Sequence, residues 1–235
     1  AHFDGTDDKF TVAHHSDFDF GAGDFAISIW FYNDNTPATS EALYSKYDGS
    51  TGILIHVDSS NLINALTRNA GAITSQSAAV ATATWHHVGF TFDRDSATGV
   101  QFYIDGVADG SGQDGSSATT AVAHATDGFK IGVRLSTSLT NYFNGKISEV
   151  AIWNTALSAG QVKTLYNGRE PFDAKNVASS NLKGYWRMGD GVLDRFGLIA
   201  DQVNPTLVGE LLDEDERNFE NTSGYWTITQ GSGGG

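Results

Sequence analysis

The stretch Thr84–Gly106, TWHHVGFTFDRDSATGVQFYIDG, decides the fold. In its first half Val88, Phe90 and Phe92 alternate with Gly89, Thr91 and Asp93. In its second half Val100, Phe102 and Ile104 alternate with Gln101, Tyr103 and Asp105. A period of two places alternate side chains on opposite faces, so each half reads as a strand with one face buried. The residues between them, Asp93, Asp95, Ser96 and Gly99, have turn chemistry, and Asp105-Gly106 opens the next turn. Two adjacent antiparallel strands at the centre of an all-β domain follow.

Outward from this pair, the same alternation recurs. Asp24–Tyr32, DFAISIWFY, sets Phe25, Ile27, Ile29 and Phe31 on one face and Ala26, Ser28, Trp30 and Tyr32 on the other. Ala1–Gly5 and Lys9–Val12 read as a first strand pair around Thr6-Asp7-Asp8. Ala42–Lys46 and Gly52–Val57 form a second pair, and Leu62–Arg68 can pair with Ala72–Ser77. Asp109–Ala125 is low in complexity and reads as a loop. Asp127–Arg134 and Tyr142–Trp153 are further strands. In the latter, Ile147 is out of phase with Val150 and Ile152, so a β-bulge near Ser148–Glu149 is needed for all three to point inward. One helix is expected over Ser158–Asn167, with Ser158 and Gln161 at capping-box spacing and Asn167-Gly168 as its stop. Leu182–Met188 reads as one more strand.

Composition agrees with this picture and narrows the function. With 27 Gly, only 3 Pro and 40 % hydrophobic residues, the chain suits short strands and turns around a real core. The 28 acidic residues exceed the 14 basic ones, for a formal net charge of −14, which repels phosphate backbones and argues against nucleic acid as a partner. The absence of cysteine removes thiolate catalysis and cysteine-based zinc sites. No apolar run approaches ~18 residues, so no membrane insertion is expected. No signal peptide is recognisable at Ala1.

Several pieces match one family in order: FDGTDDKFTV, GDFAISIWFY, ATWHHVGFTFD, VQFYIDGV, FKIG, FNGKISEVAIWN and ALSAGQVKTLYN. Over residues 1–168 the chain resembles the laminin-G-like, concanavalin A-like jelly rolls of the LamG and pentraxin type. The resemblance implies a two-sheet antiparallel sandwich with one short helix, followed by a C-terminal extension over residues 169–217. It also implies a glycan or protein ligand, often with calcium, and a place in an extracellular or surface protein. The segment Leu182–Leu207 resembles a stretch that follows such jelly rolls in structural proteins of marine tailed bacteriophages. Asn218–Trp226 looks like the start of another module or a linker, and the acidic run Asp213–Glu216 reads as solvated. Together these imply a virion or cell-surface location, with a glycan or surface polysaccharide and other virion proteins as partners, for a non-catalytic carbohydrate-binding or adhesion module or, alternatively, a structural packing module of a phage virion or fibre without a sugar site.

Four chemistries bear on such a chain. The resemblance puts a structural calcium ion between the N-terminal segment and the last jelly-roll strand, which selects Asp4 and Glu149; the family often has Asp where Ser148 stands. Sugar recognition needs aromatic faces with polar neighbours. Trp30, Tyr32, His87, Gln101 and Tyr103 share the face opposite the core residues and form a candidate platform, unless the chain after Gly168 covers it with Trp186 packed on top. Loop residues Tyr47, Asp48, Arg68, Asn69 and Arg134 are secondary candidates. Adjacent His86 and His87 face opposite ways, and His14-His15 lacks further ligands at zinc spacing. A glycosidase of this architecture carries paired carboxylates on one strand, E-x-D-x-E; the chain has no such strand, and no enzyme activity is expected.

Overall fold

The computed structural model describes residues 1–47, 51–68, 73–116, 128–135, 138–189 and 198–212. The strands in chain order are β1 (His2–Asp4), β2 (Lys9–Val12), β3 (Phe25–Asn33), β4 (Glu41–Tyr47), β5 (Gly52–Val57), β6 (Leu62–Arg68), β7 (Ile73–Ala79) and β8 (Trp85–Phe92). They continue as β9 (Val100–Ile104), β10 (Val107–Gln113), β11 (Phe129–Ile131), β12 (Arg134–Leu135), β13 (Leu139–Thr140) and β14 (Asn144–Trp153). After the helix α1 (Ala159–Tyr166) come β15 (Leu182–Trp186), β16 (Leu198–Ala200) and β17 (Val208–Leu212).

Two antiparallel sheets pack face to face as a jelly-roll sandwich. One has the order β1-β14-β3-β8-β9-β10, with β15 also pairing β14; the other runs β16-β17-β2-β11-β4-β5-β6-β7. The central pair is as the alternation requires: Val88 lies opposite Ile104, Phe90 opposite Phe102 and Phe92 opposite Val100, all turned toward the second sheet. Asp105 and Gly106 both take positive φ, 50° and 75°, as a tight turn matched to strand twist demands. Asp109 to Gln113, expected as loop, belong instead to β10, because the turn hands the chain straight back along β9.

The first strand pair is corrected. β1 pairs with β14 and β2 with β11, so Thr6-Asp7-Asp8 carries the chain from one sheet to the other rather than closing a hairpin. Local alternation cannot distinguish the two, since a turn sequence joins sheets as readily as it joins neighbours.

The bulge falls where the phase slip demanded it. The β14–β3 ladder shifts between Ser148 and Ala151, and Glu149 adopts φ 51°. Ile147, Val150 and Ile152 are consequently all buried in the sandwich core. An aromatic group closes the core at one end: Phe18 and Trp186 both contact Phe129, each at 5.2 Å between ring centroids. Trp186 thus lies between the sheets, where burial of so large a ring contributes most, and not on the outer face where it was expected.

Residues beyond 168 add strands to both sheets. β15 extends the first sheet at β14, and β17 extends the second at β2. A buried carboxylate joins these two additions. Asp201 Oδ1 accepts from the Tyr185 N–H at 2.9 Å and the Val203 N–H at 2.8 Å, while the Gln202 N–H donates to the Tyr185 carbonyl at 2.7 Å. Burial pushes the Asp201 carboxyl up to about 6, against the opposing backbone N–H bonds. Residues 218–235 and the run Asp213–Glu216 lie outside the described residues.

Candidate functional site

The outer face of the first sheet is divided in two, and α1 makes the division. Its N-terminus is the expected capping box: Ser158 Oγ accepts from the Gln161 N–H, and Gln161 Oε1 accepts from the Ser158 N–H. Asn167 ends it in the left-handed conformation. The buried side of α1, Val162 and Leu165, packs with Leu157 on Ala26, Tyr103, Ala151 and Trp153, joined by Leu182 and Tyr185 of β15. Gly89 makes this approach possible. A Cβ at that position would stand 2.7 Å from Val162 Cγ1, closer than any real contact. Tyr166, in the last turn, lies parallel to the Trp30 indole at 5.7 Å and also meets the His87 ring.

The expected platform is therefore closed over most of its length. Trp30 is 3 % exposed, and His87 and Tyr103 are buried with it. His87 Nε2 and Ser28 Oγ share a hydrogen bond of 2.8 Å in this layer. Burial pushes the imidazole down to about 4, despite the Asp105 carboxylate, so His87 is neutral. Gln101 is half-buried and uses its amide to hold β9 to β10, donating to the carbonyls of Phe102 and Asp109, each at 2.7 Å. Alternation put these residues on one face correctly; that a helix folds onto the face is a tertiary fact.

His86 faces inward against Phe31 and pairs with Asp105 at 2.9 Å. The other Asp105 oxygen accepts from the His87 N–H at 2.9 Å, so one carboxylate orders both histidines. His14 is 2.9 Å from Asp19 and His15 3.3 Å from Asp17, which makes them partners of aspartates and not of each other.

Past Tyr166 no described element covers the face. One register row runs across four strands: His2 opposite Lys146, Lys146 opposite Tyr32, Tyr32 opposite Trp85. Directly opposed residues share a face, so all four point outward. Trp85 is 38 % exposed and meets the half-buried Tyr32 edge to face at 5.9 Å. Lys146 Nζ stands 5.8 Å over the same Tyr32 ring. At the outer end, His2 Nε2 is 3.3 Å from Asp34 Oδ2. Of the expected ligand residues, Tyr32 alone lies in this open part. Trp85 and Lys146 were missed, although Trp85 shares the alternation of His87 within the opening stretch.

The same register places the two residues expected to hold calcium. Asp4 lies opposite Asn144, five positions before Glu149 on β14. At ~3.3 Å per residue the two backbone positions are roughly 15 Å apart, so the register does not bring the two side chains together. Glu149 is otherwise engaged: it accepts from the Tyr185 hydroxyl and from Arg187 Nε, locking β15 against the bulge. Asp4 instead groups with Asp7 and Asp8, one carboxylate oxygen of each lying within 4.8 Å of the others. Three oxygens so placed fit part of a calcium shell, whose metal–oxygen distances are ~2.3–2.6 Å. Of the secondary loop candidates, Tyr47 is buried beneath the Arg134 guanidinium, 5.4 Å from its ring. Asp48, Asn69 and the side chain of Arg68 lie outside the described residues.

A polar cleft of about 220 Å3 opens elsewhere, lined by Ser16, Asp17, Asp19, Phe20, Gly23, Asp24, Asn154 and Lys183.

A curved two-sheet sandwich with one sheet face partly sealed by a helix defines a lectin-like jelly roll. The chain belongs to the concanavalin A-like lectin/glucanases superfamily, whose family model matches residues 4–163. No curated protein matches significantly. Among solved structures, one similar fold is a candidate carbohydrate binding protein from Bacteroides ovatus, with 17 % identity and a TM-score of 0.68 over 89 % of this chain and 57 % of that one. The chain thus spans little more than half of that protein's length. A SAP-like pentraxin from Limulus polyphemus aligns with TM-score 0.53 and 14 % identity over 70 % of this chain and 80 % of its own. The sialidase CBM40 of Ruminococcus gnavus bound to α2,6-sialyllactose aligns with TM-score 0.54 and 10 % identity over 71 % and 97 %. At these identities the likeness is one of fold. No helix among the described residues is long and apolar enough to cross a membrane.

Proposed function

We propose that the chain is a non-catalytic glycan-binding module, and that it holds sugar on the open row His2–Lys146–Tyr32–Trp85. The observation that carries this reading is the exposure of Trp85 beside Tyr32, at the end of a face that is otherwise sealed. An exposed indole offers an apolar plane for the C–H face of a pyranose, and Lys146, His2 and Asp34 supply hydrogen-bonding groups around it. The superfamily and the carbohydrate-binding names of two structural neighbours support the same class. The resemblance of Leu182–Leu207 to phage structural proteins supports a parent protein on a virion or cell surface. A calcium ion in this module would be held by Asp4, Asp7 and Asp8, beside the open row, since Asp4 follows His2 on β1.

A glycan array read with and without Ca2+, repeated with Trp85→Ala, tests the reading. Retention of a defined glycan set by the native chain and its loss in the variant are expected. Failure to retain any glycan, or equal retention by both proteins, refutes it.

A further inference from the structure

The cleft between the loop after β2 and strand β15 is a second recessed polar feature, and it is pre-formed. Arg94 holds its loop wall: the guanidinium donates to the Gly21 carbonyl at 2.9 Å and the Gly23 carbonyl at 3.1 Å, and the Arg94 N–H donates to Asp24 Oδ1 at 2.9 Å. Asp19 is clamped between His14, at 2.9 Å, and the buried ammonium of Lys46, at 3.0 Å. Burial alone would raise the Asp19 carboxyl, but these two partners outweigh it and hold it below the usual range. Asn154 accepts from the Asn181 amide at 3.2 Å, which leaves its own NH2 to donate. The floor is fixed by Phe20 stacked on Phe25 at 4.6 Å.

The wall groups differ in what they have left to give. Asp19 is neutralised by Lys46, and Asp17 faces His15 at 3.3 Å. Asp24 spends one oxygen on the Arg94 N–H and keeps the other as an acceptor. Lys183 lines the same cleft and makes no ion pair or hydrogen bond with the described residues, so its three N–H donors are available. Fixed acceptors and donors side by side, with little apolar lining, match adjacent hydroxyl groups, each of which donates and accepts at once. A simple cation would meet the Lys183 charge. The volume, about 220 Å3, is below the roughly 300–1,000 Å3 typical of pockets for larger ligands and matches a single ring.

We infer that this cleft is a second sugar subsite, which takes a single terminal pyranose end-on through its vicinal hydroxyls, with Lys183 and Asn154 donating and Asp24 accepting. It is separate in residues from the Trp85 row and stands or falls apart from it. The pairing of roles is also separate in kind: an aromatic plane grips a sugar face, whereas this cleft grips a sugar edge.

The test is a titration of the native chain, followed by NMR, with the methyl glycosides of glucose, galactose, mannose, fucose and N-acetylglucosamine, each to about 50 mM, well above the millimolar dissociation constants that a few hydrogen bonds produce. Lys183→Ala, Asn154→Ala and Trp85→Ala are titrated in parallel, with melting curves to show that each is folded. Saturable binding of at least one glycoside is expected, weakened roughly tenfold or more by Lys183→Ala, as loss of a charged donor implies, weakened by Asn154→Ala, and kept by Trp85→Ala. Absence of saturable binding for all five overturns the inference. So does binding that survives Lys183→Ala and disappears with Trp85→Ala, which would assign it to the open row.

Discussion

The Tyr166 ring lies 13° from parallel to the Trp30 indole, with 5.7 Å between centroids. A side chain from the helix thereby occupies the position that a sugar would take on Trp30. The same face, one row further along, leaves Trp85 38 % exposed. On the proposed reading, recognition falls to Trp85 and stability to Trp30, two tryptophans that alternation alone treats alike.

Trp85→Ala and Trp30→Ala should separate cleanly. The first removes an exposed ring, so glycan retention falls while the melting temperature changes little. The second empties a buried site, and truncating a buried Trp costs about 3–5 kcal/mol. Binding by calorimetry and stability by urea unfolding, measured on both variants, check this. A strongly destabilised Trp85→Ala or a stable Trp30→Ala would reverse the assignment.

Gly89 is the space that α1 needs. Gly89→Val would drive methyl groups into Val162, 2.7 Å from where the Cβ stands, and overpacking of this kind costs about 1–3 kcal/mol. The expected result is a lower melting temperature together with faster hydrogen exchange in α1. Unchanged exchange in residues 159–166 would show that the helix does not depend on that contact.

Two buried groups pull stability in opposite directions with pH. His87 is lowered to about 4 in the folded chain, chiefly by burial, from ~6.5 unfolded. The unfolded chain then binds the extra proton between these values, so the His87 contribution is present above pH 6.5 and is lost as pH falls toward 4. Asp201 is raised to about 6 by burial, from ~3.9 unfolded. Its contribution is complete below pH 3.9 and is lost as pH rises through 6. Asp201→Asn should therefore gain in melting temperature relative to the native chain when the comparison moves from pH 4.5 to pH 8. A difference that is constant across this range would contradict a raised Asp201.

Calcium gives a fourth test. Whatever binds only the folded state raises its stability by mass action. Millimolar Ca2+ is expected to raise the melting temperature of the native chain, and Asp7→Asn is expected to abolish the rise, while Glu149→Gln leaves it intact. A melt indifferent to Ca2+ and to chelator would remove the ion from this cluster.

The strands around Thr84–Gly106, the bulge at Glu149 and the capped helix were all legible, because each rests on local rules: two-residue alternation, a phase slip that one extra residue repairs, and a side chain that reaches its own backbone three residues away. The β1–β2 pairing was mistaken, and Asp4 and Glu149 are not brought together, for the complementary reason. Both expectations asserted which distant segments meet, and strand partners are chosen by packing across the whole sandwich.

For the candidate site the division is sharper. Alternation placed Trp30, Tyr32 and His87 on the face away from the core, and the same period puts Trp85, which the sequence reading left out, on it too. Only the tertiary structure decided which of them meet solvent. Gly89 gives α1 room to settle on the middle of the sheet, the helix ends at Asn167, and among the described residues nothing covers the row beyond its last turn. Alternation acts within one strand, whereas exposure depends on where an element from elsewhere in the chain comes to rest.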